Sequence, residues 1–389
     1  MVDWEVLDLS IGTSNAYQQS AQLYANGRMQ VLVYVWISVQ IKGTNQLYNL
    51  SPDELSEIAL VDYNDPYNGL DRDGDMRGDW QYSEKPGEYA QPLPSSRVVG
   101  AATDLPQLAR GSQTQKYWVT TTAQENKDIA ASIYQPDGTL VNTTMAGFES
   151  RITLEGLTPI VYTTDKESTS VERKFIKQGT YHCDWEGSYD PYWSQDNYYF
   201  SLKQFPLHKV ELHWYDRTGH DNGHDNDPCL VGAVAKQLQH DYQVSHSADL
   251  NVFFIWEHGT KSPTKSGLYR KWGNITANAY ANIEADQREQ ALCLTRLKFD
   301  FFPGLGEIWG TQWTFSTWFI VFDIHGNSGT FEVTLSEDHD SVVIQDSKRS
   351  LAIASSEKAA ISKQEIKPSL HDKAKVEAAV EAFKEKYKA

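Results

Sequence analysis

Residues 29–41 constrain the fold more than any other part of the chain. Met29, Val31, Val33, Val35, Ile37, Val39 and Ile41 are apolar and occupy alternate positions, with Gln30, Leu32, Tyr34, Trp36, Ser38 and Gln40 between them. Alternate residues of an extended chain share a face, so the segment is predicted to be a long strand with one face fully buried. Asn26-Gly27 just ahead of it is a strong hairpin-turn dipeptide. Lys42-Gly43-Thr44-Asn45 breaks the strand behind it. Ser51-Pro52-Asp53-Glu54 then reads as a capping box. Ser51 is the N-cap, Pro52 takes the first helical position, and Glu54 reaches back to the cap. The helix it opens is predicted to be one short turn before Ala59-Leu60-Val61 resumes an apolar run.

The rest of the chain up to Asp346 repeats that alternation in shorter pieces. Strands are predicted at 116–122, 128–134, 151–154, 160–164, 210–215, 251–256, 291–302, 311–322 and 330–335. Gln135-Pro136-Asp137-Gly138 and Gly326-Asn327-Ser328-Gly329 are turns between neighbours. Turn signals every 10–20 residues or so suit antiparallel sandwiches. After Asp346 the composition shifts to Ser, Ala, Lys and Glu without aromatics, as in a linker. Ser369 then caps a helix with Asp372 in its first turn and lysines in its last, matching the helix dipole. Val376, Val380, Phe383 and Tyr387 form a narrow apolar stripe along it. A helix of this length is marginal alone in water, so it must dock on its own body or on another chain.

Composition then narrows the function. The 389 residues are 40% apolar, enough for real cores, and carry a net charge of −17. That charge, without a cluster of Lys and Arg, argues against nucleic acid and against an anionic membrane surface. The start Met1-Val2-Asp3-Trp4-Glu5 does not read as a signal peptide, and no run approaches a membrane helix in length. Three widely spaced cysteines, Cys183, Cys229 and Cys293, point to neither a disulfide framework nor a zinc ribbon. The expected location is therefore the cytoplasm, or outside the cell after release without a signal peptide.

Two polar loops are candidate metal sites. Asp71-Arg72-Asp73-Gly74-Asp75, with Asp79 beyond, begins like an EF-hand loop, and alternate carboxylates suit the oxygen-hungry Ca²⁺ ion. Met76 stands where the turn glycine belongs and Tyr82 where the bidentate Glu belongs, so the reading is a non-EF calcium loop at Asp71, Asp73, Asp75 and Asp79, with Asp65 nearby. His220-Asp221-Asn222-Gly223-His224-Asp225 could hold a transition metal. Catalytic signatures are lacking. There is no G-x-S-x-G elbow, no H-E-x-x-H, no phosphate-cradling loop and no dinucleotide fingerprint. An enzymatic role is not expected.

The stretch from Tyr181 to Phe200 mixes aromatic rings with carboxylates, the combination that stacks on the C–H face of a sugar and takes its hydroxyls. Tyr198 and Phe200 are assigned to a core strand. Trp185, Tyr189, Tyr192 and Trp193 are the candidate ligand-facing residues, since Gly187-Ser188 and Asp190-Pro191 keep this part in loops. Ser/Thr-rich segments at 118–122 and 141–172 read as polar edge strands in preference to pore-forming hairpins.

The expectation is a mainly β protein: two antiparallel β-sandwich-like domains, 1–178 and 179–346, a flexible linker at 347–368, and a C-terminal amphipathic helix at 369–389. Its expected role is a non-catalytic binding protein recognising a glycan or cell-surface protein, with calcium as the candidate cofactor and the terminal helix as an oligomerisation element. The alternatives are a secreted toxin or virulence component that oligomerises or acts on membranes, and a metal-dependent hydrolase using the 216–228 loop.

Overall fold

The structure is a computed structural model that describes residues 2–13, 19–73, 78–93, 110–180, 192–214, 239–244, 249–256, 258–259, 264–272, 275–283, 288–300, 311–312, 317–335 and 341–347. Across these residues the protein is mainly β, with several sheets and a single short helix. No helix among them is long and apolar enough to cross a membrane. The described residues fall into two compact units, one reaching to Val161 and including Ile324–Asn327, the other comprising Tyr162–Asp323 and the residues from Ser328 on.

The first unit contains β1 (Trp4–Gly12), β2 (Ser20–Tyr24), β3 (Val31–Ile41), β4 (Leu47–Tyr48), α1 (Pro52–Ser56), β5 (Ala59–Asp62), β6 (Asp71–Arg72), β7 (Trp80–Ser83), β8 (Gln113–Thr121), β9 (Asn126–Tyr134), β10 (Leu140–Asn142) and β11 (Ile152–Leu157). One sheet runs β1-β3-β8-β7-β6, with β4 also on β3; the other runs β10-β9-β11-β2, with β5 also on β9. The alternation of residues 29–41 explains the position of β3. Val33, Val35 and Ile37 are wholly buried, each worth about 1.5–3 kcal/mol relative to exposure. Burial also reaches the other face, at Trp36 and Ser38, and β3 is paired on both edges, by β1 and β8. The Ser38 hydroxyl meets the cost of burial by donating to the Arg110 carbonyl at 3.2 Å.

Asn26-Gly27 makes the expected tight turn but not the expected hairpin. Gly27 has φ 69°, and the Asn26 side-chain oxygen accepts from the amides of Arg28 and Met29, both at 2.9 Å. Yet β2 pairs in parallel with β11, while β3 joins the other sheet. The dipeptide sets the local reversal, and the partner is chosen by which strand edges are available. The capping box forms as predicted: the Glu54 amide donates to Ser51 Oγ at 3.3 Å and the Ser51 amide to Glu54 Oε2 at 2.8 Å. Gln135–Thr139 closes the β9–β10 hairpin, with Gly138 at φ 82°.

The second unit contains β12 (Thr169–Thr180), β13 (Tyr192–Leu202), β14 (Leu207–Trp214), β15 (Gln239–Val244), β16 (Asp249–Ile255), β17 (Thr264–Trp272), β18 (Ile275–Ile283), β19 (Ala291–Asp300), β20 (Thr311–Gln312), β21 (Thr317–Asp323), β22 (Ser328–Leu335) and β23 (Val342–Asp346). Its sheets run β12-β13-β19-β16-β15-β20 and β14-β21-β22-β23, and β17 and β18 pair as a two-stranded ribbon. Phe200 from the larger sheet meets Phe319 and Phe331 from the smaller at centroid distances of 5.4 and 4.7 Å, and all three are wholly buried. Such tilted aromatic contacts add to the area term.

Three expectations need correction. The predicted strand at 160–164 is not one: Val161 is exposed while Tyr162 is buried. The amide of Ile160 donates to the Asn327 side chain, that of Tyr162 to the Ser328 carbonyl, and that of Thr164 to the Asp346 carboxylate. These amides are spent one by one instead of in a ladder. The boundary expected at 178 falls inside β12, which pairs with β13 from Thr169 to Thr180; the division lies at Val161 and Tyr162. Ser347, read as the first linker residue, is buried, and its hydroxyl donates to Glu332 at 2.9 Å. The remainder of the linker and the expected terminal helix lie outside the described residues.

Candidate functional site

An open polar cleft of about 460 Å³ lies where β5, β9 and β11 come together at one end of their sheet. The topology explains the gathering. β9 is the shared neighbour, with Asp62 opposite Ile129 on one edge and Thr153 opposite Asp128 on the other. The chain entering β9 is held by Thr122, whose amide donates to the Asp79 carbonyl at 3.0 Å, and by the Gly156 amide on the Glu125 carbonyl at 2.8 Å. The sequence there, Glu125-Asn126-Lys127-Asp128, is a polar run at a strand entrance, which leaves these groups at the rim.

Two ion pairs organise the cleft. Lys127 Nζ pairs with Asp62. Arg151 Nη1 pairs with Asp128 at 3.1 Å, and Thr153 donates to the same carboxylate at 2.5 Å. Burial alone would raise the Asp62 carboxyl, but the Lys127 ammonium and the backbone amides of Asn64 and Asp65 outweigh it and hold the group below its usual range. The Arg151 guanidinium also stands 5.3 Å from the centre of the Tyr63 ring, within cation–π range. Its side chain is 53% exposed, so a planar fork of donors faces solvent. Glu125 accepts from Trp80 Nε1 at 2.8 Å. Donors and acceptors of both signs thus line the cleft, with Asn64 and Asn126 adding amides. Asp62 and Asp128 accept hydrogen bonds in these pairs, an arrangement suited to hydrogen-bonding a polar ligand.

None of the cleft residues was a sequence candidate. The available signal was that run of charge and amide entering a strand, a composition that β-propensity disfavours. Of the calcium candidates, Asp71 accepts from the Gly78 amide, Asp73 has φ 51° and lies 3.7 Å from Arg72, and Asp79 accepts from the Thr122 hydroxyl at 2.9 Å. Asp75 lies outside the described residues, as does the loop at 216–228. Among the described residues, no three His, Cys, Asp or Glu come together in a way that could hold an ion.

Of the aromatic candidates, Trp185 and Tyr189 lie outside the described residues, and Tyr192 is described only as the first residue of β13. Trp193 is 7% exposed. Its ring packs over β12, where a Cβ on Gly179 would come within 2.8 Å of Nε1. Tyr198 and Phe200 are core residues, as assigned from sequence. Unexpected from sequence is a buried polar ladder on the other face of β13. Gln195 Nε2 and Thr295 Oγ1 donate to Asn197 Oδ1 at 2.9 and 2.6 Å, and Trp256 Nε1 donates to Thr295 Oγ1 at 2.6 Å.

The chain matches no protein-family model and no curated protein sequence. Among solved structures it is similar to the C-terminal domain of the Streptococcus pyogenes antigen I/II-family protein AspA, at 8% identity over 84% of this chain and 99% of that one, with a TM-score of 0.19. It is similar to the C-terminal domain of the Streptococcus agalactiae AgI/II polypeptide BspA at the same identity and TM-score, over 87% of this chain and 99% of that one. Likeness at that TM-score carries no weight for the function of this chain.

Proposed function

We propose that the chain is a non-catalytic binding protein whose first unit takes a glycan of a cell-surface partner in the cleft between Asp62, Asp128 and Arg151. The observation that carries this reading is the cleft wall itself. Donors and acceptors held in ion pairs line it together, as the hydroxyls of a sugar require, and the exposed guanidinium of Arg151 stands over the Tyr63 ring. Pre-organised pairs lower the ordering cost of binding. In this reading the two main sheets of each unit form a β-sandwich-like domain, and the segment 369–389 is an amphipathic helix on a linker.

A glycan array with the full chain tests the reading, followed by titration of the best hit. Arg151→Ala removes charge-assisted hydrogen bonds worth about 1.5–3 kcal/mol, so affinity should fall roughly ten- to a hundredfold, with little change in melting temperature. An array without hits, or a hit bound equally by Arg151→Ala, would overturn the assignment of the cleft.

A further inference from the structure

In the larger sheet of the second unit, burial stops abruptly at the outermost strand. β12 forms that edge, and its register sets Val171 opposite Phe200, Arg173 opposite Tyr198 and Phe175 opposite Asp196. Residues directly opposite each other share a face, so all three lie on the face that meets the smaller sheet through Phe200. Phe200, Tyr198 and Asp196 are buried, whereas Val171 is 49% and Phe175 57% exposed. Two apolar side chains thus overhang the end of the core. On the other face Glu172 and Lys174 are exposed as well. The first unit closes a comparable edge. There β1 is outermost and bulges between Val6 and Asp8. Its Val6 and Ile11 amides donate to Gln135 Oε1 at 2.8 Å and Ser150 Oγ at 3.2 Å. Bulges and covered edges keep a strand from pairing with another chain. The irregularity in β12 comes only after Phe175 and leaves Thr169–Phe175 in regular register.

A regular edge with an apolar overhang suits the addition of another strand, and the sequence of β12 complements itself. Two identical strands paired antiparallel about a two-fold axis place one residue opposite itself and the others in reciprocal pairs. Centred on Arg173, Val171 meets Phe175 twice on one face and Glu172 meets Lys174 twice on the other. Centred one residue earlier, Glu172 would meet Glu172 and Val171 would meet Arg173. Centred one residue later, Lys174 would meet Lys174 and Arg173 would meet Phe175. Apolar and opposite-charge pairs stabilise a sheet, and like charges directly opposite destabilise it. Arg173 suits the central place because its charge is already met. Its Nη2 lies 2.9 Å from the Asp196 carboxylate, and its guanidinium stands 5.6 Å from the centre of the Tyr198 ring. A pairing this short buries less than the roughly 1,200 Å² of a standard stable interface, so the dimer forms and parts with concentration.

We propose that two copies of the chain dimerise by antiparallel pairing of their β12 edges, centred on Arg173. The test is sedimentation velocity of the full chain from micromolar to near-millimolar concentration, where the average mass should rise from monomer toward dimer. Phe175→Asp sets a carboxylate against Val171 in both apolar pairs and should weaken association on the order of tenfold. Glu172→Lys and Lys174→Glu should each weaken it by setting like charges opposite. An equimolar mixture of those two variants should associate more strongly than either alone, since every charged pair across the axis is then Lys with Glu. Circular dichroism checks that each variant is folded, and if Phe175→Asp unfolds, the mixture decides. A wild-type chain that stays monomeric throughout, a dimer unchanged by folded Phe175→Asp, or a mixture of folded variants no stronger than its components overturns the proposal. A monomer that instead captures a synthetic extended peptide would assign the edge to a strand of another protein and overturns it equally.

Discussion

Replacing Asn197 by leucine tests whether the polar ladder in the second unit holds its larger sheet together. Asn197 is wholly buried in β13. Its side-chain oxygen accepts from Gln195 and Thr295, and its amide donates to the Tyr199 hydroxyl at 3.3 Å. Thr295 belongs to β19 and in turn accepts from Trp256, so the ladder ties two strands to the residue that follows β16. Leucine has a similar volume and leaves two donors without this acceptor. Each such loss costs about 1–3 kcal/mol, while the extra apolar burial returns about 1.5–3 kcal/mol. The balance is a net loss of about 2 kcal/mol, a factor of roughly thirty in an opening equilibrium. Hydrogen exchange of the β13 and β19 amides should lose protection by that factor, with the β3 and β8 amides of the first unit unchanged. Thr295→Val, which deprives Trp256 of its acceptor, should act in the same direction and by less than additively with Asn197→Leu, since networked groups couple. An Asn197→Leu variant at least as protected as the wild type would refute the reasoning, and would place the stability of this sheet in its apolar face around Phe200.

Two further perturbations probe the first unit. A Cβ at Gly156 would sit 2.0 Å from the Ala123 carbonyl oxygen, so Gly156→Ala should force β11 away from the β8–β9 connection and lower the melting temperature by several degrees, more than Gly138→Ala in the open turn, where no atom lies within 4 Å. Burial alone would raise the Glu54 carboxyl, but donors from Ser51, Trp4 and Tyr48 outweigh it and hold the group below its usual range. Its contribution to stability is therefore full above roughly pH 4.3 and lost as pH falls through the lower folded value. Glu54→Gln should be less stable than wild type at neutral pH and show a flatter acid limb, as measured by urea midpoints between pH 2 and 7.

Local signals in the sequence were read well where the interaction that makes them is itself local. The capping box at Ser51 and Glu54 is closed by residues three apart, and the turns at Gln135–Thr139 and Gly326 need only a few residues to form. Strand β3 was evident because a period of two survives whatever packs against it. Strands β17 and β18 were missed, since alanine, lysine, glycine and asparagine are weak strand formers and their alternation acquires meaning only once the two segments are paired. The aromatic stretch drew attention for its composition, whereas in β13 much of that composition serves the core.

The sequence by itself determined the β class of the protein, the long strand β3, its helix cap and its turns, because alternation and capping are written in neighbouring residues. The tertiary structure decided which strands pair, where the two units divide and where the polar cleft lies. β2 left its apparent hairpin partner for a parallel edge on β11, and residues 62, 127, 128 and 151 met only because β5 and β11 flank β9. Those choices are made by the burial of faces and the pairing of backbone edges from segments far apart in the chain, and one residue's neighbours in sequence carry no record of them.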